Sequence, residues 1–339
     1  MTDYKNLKLI ATSSPHIRGS ETTQGIMKDV IIAMLPALIW AVIKFGVESL
    51  ILTLVSVIGC MFFEWGYRAI MKRPQSVGDL SAVVTGMLLS FVCPPSTPLW
   101  MILIGDFFAI VVVKQLFGGI GKNFVNPALA GRAFLLGSYA GVMTTWIDPL
   151  ESKAPMFGGI ADAATAATPL AYMKTGDMAG LTAEYSVTDM FMGNIPGSMG
   201  EISALMLLIG GVYLIIRKVI NWHTPVSYLA TVAVLTFLFP KAGSGVEWML
   251  YSLFGGGLML GAFFMATDYA TSPVTKKGQV IFGIGCGLFT VFIRYFGSYN
   301  EGVCYSIMVM NLCVALIDKY TKPVRFGVVK SDKKEGAAK

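Results

Sequence analysis

A chain of 339 residues that is 55% hydrophobic and only 14% charged departs from soluble globular proteins, in which about a quarter of residues carry charge. The deficit runs along the whole sequence rather than being confined to one anchor, and the net charge of +6 fits membrane topology and anionic lipid, not nucleic-acid binding. Two histidines and five cysteines (Cys60, Cys93, Cys286, Cys304, Cys313), none in a Cys-x-x-Cys pair, point to packing residues and to no protein-borne metal site.

In chain order, residues 1–29 are polar and show no cleavable signal peptide. Apolar runs follow near 30–46, 49–66, 80–93, 99–117 and 127–147, then near 202–217, 226–240, 247–266, 280–296 and 302–318. A span needs about 20 apolar residues. The pattern therefore predicts an all-α polytopic membrane protein with about ten transmembrane helices. Its parts are a cytoplasmic N-terminal segment (1–29), a first transmembrane half (30–147), an extracytoplasmic loop (148–201), a second half (202–318) and a basic cytoplasmic tail (319–339).

Lysine and arginine set the orientation. With both termini inside, the cytoplasmic pieces hold Lys5, Lys8, Arg18, Lys28, Arg68, Lys72, Arg73, Lys122, Arg217, Lys218, Lys276, Lys277 and the tail from Lys319. The other side holds Lys44, Lys153, Lys174, Lys241 and Arg294. The positive-inside rule favours that arrangement. The 148–201 loop carries Asp148, Glu151, Asp162, Asp177, Glu184, Asp189 and Glu201, and a loop of that length is usually functional or disordered.

An offset of 146 residues lays Leu80-Ser81 over Val226-Ser227, Leu89-Ser90-Phe91 over Leu235-Thr236-Phe237, and Pro94 over Pro240. At the same offset Asn126-Pro127 falls on Ser272-Pro273. Both copies would cross in the same direction, a parallel repeat. In each the first helix is short and stops at proline. Interrupted helices in matching halves point to a central binding site, although a tilted helix in a thinned bilayer gives the same pattern.

The segment from Gly118 to Arg132 lies at a membrane boundary, yet contains four glycines, two asparagines, a lysine and an arginine. Non-helical backbone at that depth survives only where protein or a cavity covers it. Asn123 and Asn126, taken as one turn apart, could converge on a heteroatom-rich ligand. Equally, Asn126 could cap the helix that starts at Pro127. Asp106, near the middle of the fourth span, should face protein, water or an ion and is a candidate for an ion path. Glu64, Asp268 and Asp318 fall at cytoplasmic span ends, where solvated or capping roles are expected. Arg132, one turn into its helix, could snorkel or bind a ligand. In Asp162-Ala163-Ala164-Thr165-Ala166-Ala167-Thr168-Pro169, small neighbours leave two threonine hydroxyls accessible. Thr168 before Pro169 suits an N-cap, beside which an esterified phosphate would be well placed.

These residues together resemble the RnfD family, the D-type membrane subunits of the Rnf ferredoxin:NAD⁺ oxidoreductases. That family is related in turn to the NqrB-type subunits of the sodium-translocating NADH:quinone oxidoreductases. Ser14-Pro15-His16, Gly121 through Phe134, Asp162 through Leu170, and Phe263-Phe264-Met265-Ala266-Thr267-Asp268 with Ser272-Pro273 carry the likeness. The length suits the RnfD type better than its relative.

The resemblance implies FMN attached through its phosphate to the last threonine of a Ser-Gly-Ala-Thr segment. Here Thr165-Ala166-Ala167-Thr168 departs at two positions, which makes Thr168 the acceptor and Thr165 the fallback, with a separate flavin transferase required for maturation. It also implies a noncovalent riboflavin against Asn123 and Asn126, with Phe124 and Arg132 beside it. The chain would then be a flavoprotein component of a translocase in the bacterial cytoplasmic membrane, with the flavin loop outside. It would carry electrons with partners of the C, G, A, E and B types while Na⁺ or H⁺ moves outward. It has no recognisable NAD, ferredoxin or iron–sulfur site and no catalytic residue of its own, so it would be an enzyme only within the complex. An NqrB-like role, or a solute channel or secondary transporter without redox function, is the competing expectation.

Overall fold

The computed structural model describes residues 21–147 and 167–323. Helices make up its regular elements, and the described residues contain no β-strand. Helix α1 (Thr23–Phe45) begins where the Thr22 hydroxyl accepts from the Gly25 amide at 3.1 Å. It ends at Gly46, whose φ of 93° turns the chain straight into α2 (Val47–Ile70). Helix α3 (Ser81–Phe91) opens on Leu80, held in the left-handed region at φ 63°. It stops short of Pro94-Pro95. At 1.5 Å per residue it is about 16 Å long, too short to cross alone. Gly86 lets α3 lie directly on α2, since a Cβ there would come within 2.8 Å of the Val57 backbone. Helix α4 (Leu99–Phe107) runs on into a π-helical turn (Phe108–Gln115), and α5 (Pro127–Ser138) and the short α6 (Ala140–Met143) follow.

Three short helices, α7 (Pro169–Thr175), α8 (Met178–Glu184) and α9 (Val187–Met192), make up the described part of the long loop. They are packed rather than loose. Leu170, Leu181, Tyr185 and Met190 form a small apolar core with Phe45, Trp248 and Tyr251. The second half comprises α10 (Ala204–Ile216), α11 (His223–Leu238), α12 (Gly245–Phe254), α13 (Leu258–Leu260) with a π-helical turn (Gly261–Met265), α14 (Lys276–Phe296) and α15 (Val303–Thr321).

The internal repeat is visible in backbone detail. Helices α2 and α10 end at Ile70 and Ile216, and two residues later each chain turns on a lysine in the left-handed region, Lys72 (φ 52°) and Lys218 (φ 59°). At the same spacing α3 corresponds to α11, and α4 with its π-turn corresponds to α12 through the second π-turn. Among the described residues, four helices (α1, α2, α14, α15) are long and apolar enough to cross a membrane, and α12 with the segment Leu258–Met265 forms a further pair bent by 65°. The remaining apolar runs fall on shorter pieces such as α3, α10 and α11. Interruption thus goes further than the sequence suggests. The run expected at 127–147 breaks at Tyr139, and that at 247–266 breaks at Gly255–Gly257. The chain is an all-α polytopic membrane protein built from whole and broken helices.

Candidate functional site

Two cavities hold the residues singled out by the sequence. The first, of about 770 Å³ including its mouth, lies on the seam between the two halves. Ser81, Lys114, Asn123 and Asn126 come to it from the first half, and Phe263, Phe264 and Thr267 from the second. The loop that delivers the asparagines needs glycine: Gly118, Gly119 and Gly121 have φ of 117°, 96° and 79°, values that L-side chains rarely adopt.

Asn123 and Asn126 are not one helical turn apart, because the helix begins only at Pro127. The Asn126 side chain accepts from the amides of Ala128 (3.0 Å) and Leu129 (3.4 Å), a helix cap, while its NH₂ donates to the Met265 carbonyl of the other half at 3.4 Å. Capping and lining the cavity are therefore one arrangement. Asn123 donates to the Val125 carbonyl at 3.1 Å. Phe124 is 47% exposed and packs edge-on against Phe117, outside the cavity wall. The aromatic surfaces at the cavity are those of Phe263, Phe264 and Tyr269.

Beside this cavity lies a buried polar face of α2. Glu64, expected to be solvated at a span end, is fully buried, because α2 continues to Ile70 and the following turn folds back over it. Glu64 accepts from the Ser76 hydroxyl and pairs with Lys114 at 2.7 Å. Further along, Asp106 is fully buried and accepts from Ser56 (2.6 Å) and Cys60 (3.2 Å), while its second oxygen has no partner. Asp106 therefore faces protein, as its cost in lipid requires. Lys114 escapes the sequence reading. The available signal is a lysine inside the apolar run 99–117.

The second cavity, about 1,040 Å³ with its mouth, contains Thr168, Arg132, Trp146 and Tyr299. Thr168 occupies the N-cap position of α7, but its hydroxyl makes no capping bond. Arg132 stands here and not beside the asparagines. Its guanidinium donates to Glu201 at 2.8 Å and also pairs with Glu301, tying α5 to two distant loops. It is buried in these pairs and does not snorkel. Thr165, the fallback acceptor, and the Ser14-Pro15-His16 stretch lie outside the described residues.

The NQR2, RnfD, RnfE family profile matches residues 10–327. Over 334 residues the chain is 47% identical to the D-type component of the Na⁺-translocating ferredoxin:NAD⁺ oxidoreductase complex of Acetobacterium woodii, covering 98% of this chain and 99% of that protein. It is 42% identical to the D-type component of the proton-translocating ferredoxin:NAD⁺ oxidoreductase complex of Clostridium ljungdahlii, covering 95% and 97%. To the D-type component of the ion-translocating oxidoreductase complex of Actinobacillus succinogenes it is 36% identical, covering 92% and 96%. A match of this extent makes the chain a member of the NQR2, RnfD, RnfE family.

Proposed function

We propose that this protein is the D-type membrane component of an ion-translocating ferredoxin:NAD⁺ oxidoreductase, carrying electrons through an FMN esterified to Thr168 and a noncovalent riboflavin in the seam cavity. The observation that carries this is the 47% identity over 98% of the chain to a protein of that description. The two cavities supply room for both groups, since small-molecule sites typically occupy about 300–1,000 Å³.

The residues present fit the two flavins. At the second cavity Thr168 offers a hydroxyl that is not spent on capping, and its oxygen would become the ester oxygen once a flavin transferase has acted. Trp146 and Tyr299 supply aromatic surface. Arg132, held by Glu201 and Glu301, fixes the floor. At the seam cavity Asn123 and Asn126 present amides, and Phe263 and Phe264 present apolar walls. A bound flavin supplies one- and two-electron chemistry, while the protein sets distance, polarity and access to water. Asp106, on α4 against the buried polar face of α2, belongs to the ion path. Both termini are cytoplasmic and the Thr168 segment is extracytoplasmic, the orientation that the lysine and arginine distribution favours. The remaining components of the complex (the A, B, C, E and G types) supply the NAD and ferredoxin sites.

Intact mass of the chain isolated from its native complex, with peptide mapping of residues 154–174, tests this directly. The expected result is an FMN adduct on Thr168 and an in-gel fluorescent band lost in Thr168→Ala co-expressed with the transferase. An unmodified peptide from fully matured complex would overturn it.

A further inference from the structure

Lys114 stands in the wall of the seam cavity, where the flavin assignment gives it no role. It lies in the first π-turn and is only 3% exposed, and such turns often mark functional positions. Its Nζ is 2.7 Å from the Glu64 carboxylate and donates to the Ser81 hydroxyl at 2.6 Å. Ser81 in turn donates its hydroxyl hydrogen bond to the Asp79 carboxylate. The ammonium thus meets one carboxylate directly and a second through a hydroxyl, and Asp268 faces it as a further carboxylate in the same cavity wall. An ammonium has three N–H donors, and the described residues engage two of them. Lys114 also forms part of the seam cavity wall, where it is the one lysine or arginine among the described residues.

The repeat places helices at the corresponding positions without this pair. The positions equivalent to Glu64 and Lys114 in the second half are Gly210 and Leu260, on the shorter α10 and on α13, which follows the 65° bend after α12. A buried ion pair replaceable by apolar groups is weak support for stability. Its retention in one half therefore points to a function.

We infer that Lys114 couples charge in the seam cavity to cation uptake at Glu64. This inference rests on the seam cavity holding the noncovalent flavin. When a one-electron carrier of the complex adds an electron there, the cavity gains one negative charge. The Lys114 ammonium, on a flexible four-carbon stem, turns its remaining N–H toward that charge. Glu64 loses its counter-ion and takes up one cation, Na⁺ or H⁺. One electron in is balanced by one cation in. Oxidation of the cavity's occupant reverses both movements, returning Lys114 to Glu64 and expelling the cation. Glu64, Cys60 and Ser56 recur on one face of α2, and Cys60 and Ser56 both bond to Asp106. Asp106, with its second oxygen unpartnered, is the next acceptor along that face.

Equilibrium redox titration of the noncovalent flavin in purified complex tests the inference, using Lys114→Met, Glu64→Gln and the double variant. Lys114→Met should disfavour the reduced form at least tenfold, which for one electron is a 59 mV lower potential, and Glu64→Gln should shift it the opposite way. The wild-type potential should follow Na⁺ concentration at fixed pH if the cation is Na⁺, or pH at fixed Na⁺ if it is H⁺. Glu64→Gln should abolish that dependence. Should Lys114→Met fail to fold, the double variant, neutral at both positions, carries the test. A double variant with wild-type potential and ion dependence would overturn the inference and leave a structural pair. Flavin content of Asn123→Leu/Asn126→Leu separates the two possible failures. If that flavin remains, the cavity assignment is wrong. If it is lost while the Lys114 and Glu64 variants keep the wild-type potential, the coupling alone is wrong.

Discussion

The two halves of this protein share a backbone plan and differ in what they bury. In the first half α2 presents Ser56, Cys60 and Glu64 to Asp106 and Lys114, all of them buried. The equivalent positions in the second half are Ile202, Met206, Gly210, Ser252 and Leu260. There α10 packs closely on α1, and Gly210 faces the Ala33 carbonyl. A helix, a short helix and a π-turn follow in the same order with either lining, although α10 is shorter than α2 and the second π-turn follows a 65° bend. The buried Glu64–Lys114 pair and Asp106 are thus particular to the first copy, while the second buries Arg294 against the Ser252 and Gly255 carbonyls.

The sharpest way to break this comparison is to move the charge. Gly210→Glu copies Glu64 into a helix contact with no lysine opposite. An unpaired buried charge costs about 3–5 kcal/mol, and the side chain has no room against Ala33. Little folded protein should be recovered in detergent, and normal thermal stability would refute the asymmetry. Next comes the packing of α3 on α2. Gly86→Ala brings a methyl within 2.8 Å of the Val57 backbone and should cost about 1–3 kcal/mol by overpacking, visible as a lower unfolding temperature.

Asp106→Asn should reduce ion transport in reconstituted vesicles severalfold while leaving flavin content unchanged. Ser252→Ala at the equivalent position should change neither. The helix caps give a smaller effect. Asn126→Ala and Thr275→Ala remove the caps of α5 and α14, each worth about 1 kcal/mol, yet only the former should lower noncovalent flavin content. Smallest of all is Arg217→Gln. Arg217 pairs with Asp29 at 3.1 Å but its side chain is 57% exposed, so stability should change by less than about 1 kcal/mol.

Membrane class, the repeat and the interruptions at proline are legible because each is written in local sequence: apolar runs, matched spacing and helix breakers. The cap at Asn126-Pro127 is legible for the same reason. The partners of the buried charges are not. Lys114 meets Glu64 across 50 residues. Arg132 meets Glu201 across 69 and Glu301 across 169. Such pairings are decided by helix packing, on which no local pattern reports. Glu64 looks solvated in the sequence because its apolar run ends near it, whereas the helix continues for another turn and a half and the next loop covers it. The placement of Phe124 outside the seam cavity likewise follows from the loop's left-handed glycines, which set directions that residue spacing alone does not.

The position of the seam cavity has a mechanical side. Its walls come from both copies of the repeat, with Asn126 on one bonded to the backbone of Met265 on the other. A molecule lodged there would touch both copies at once, so any displacement of one against the other would change its contacts on both sides.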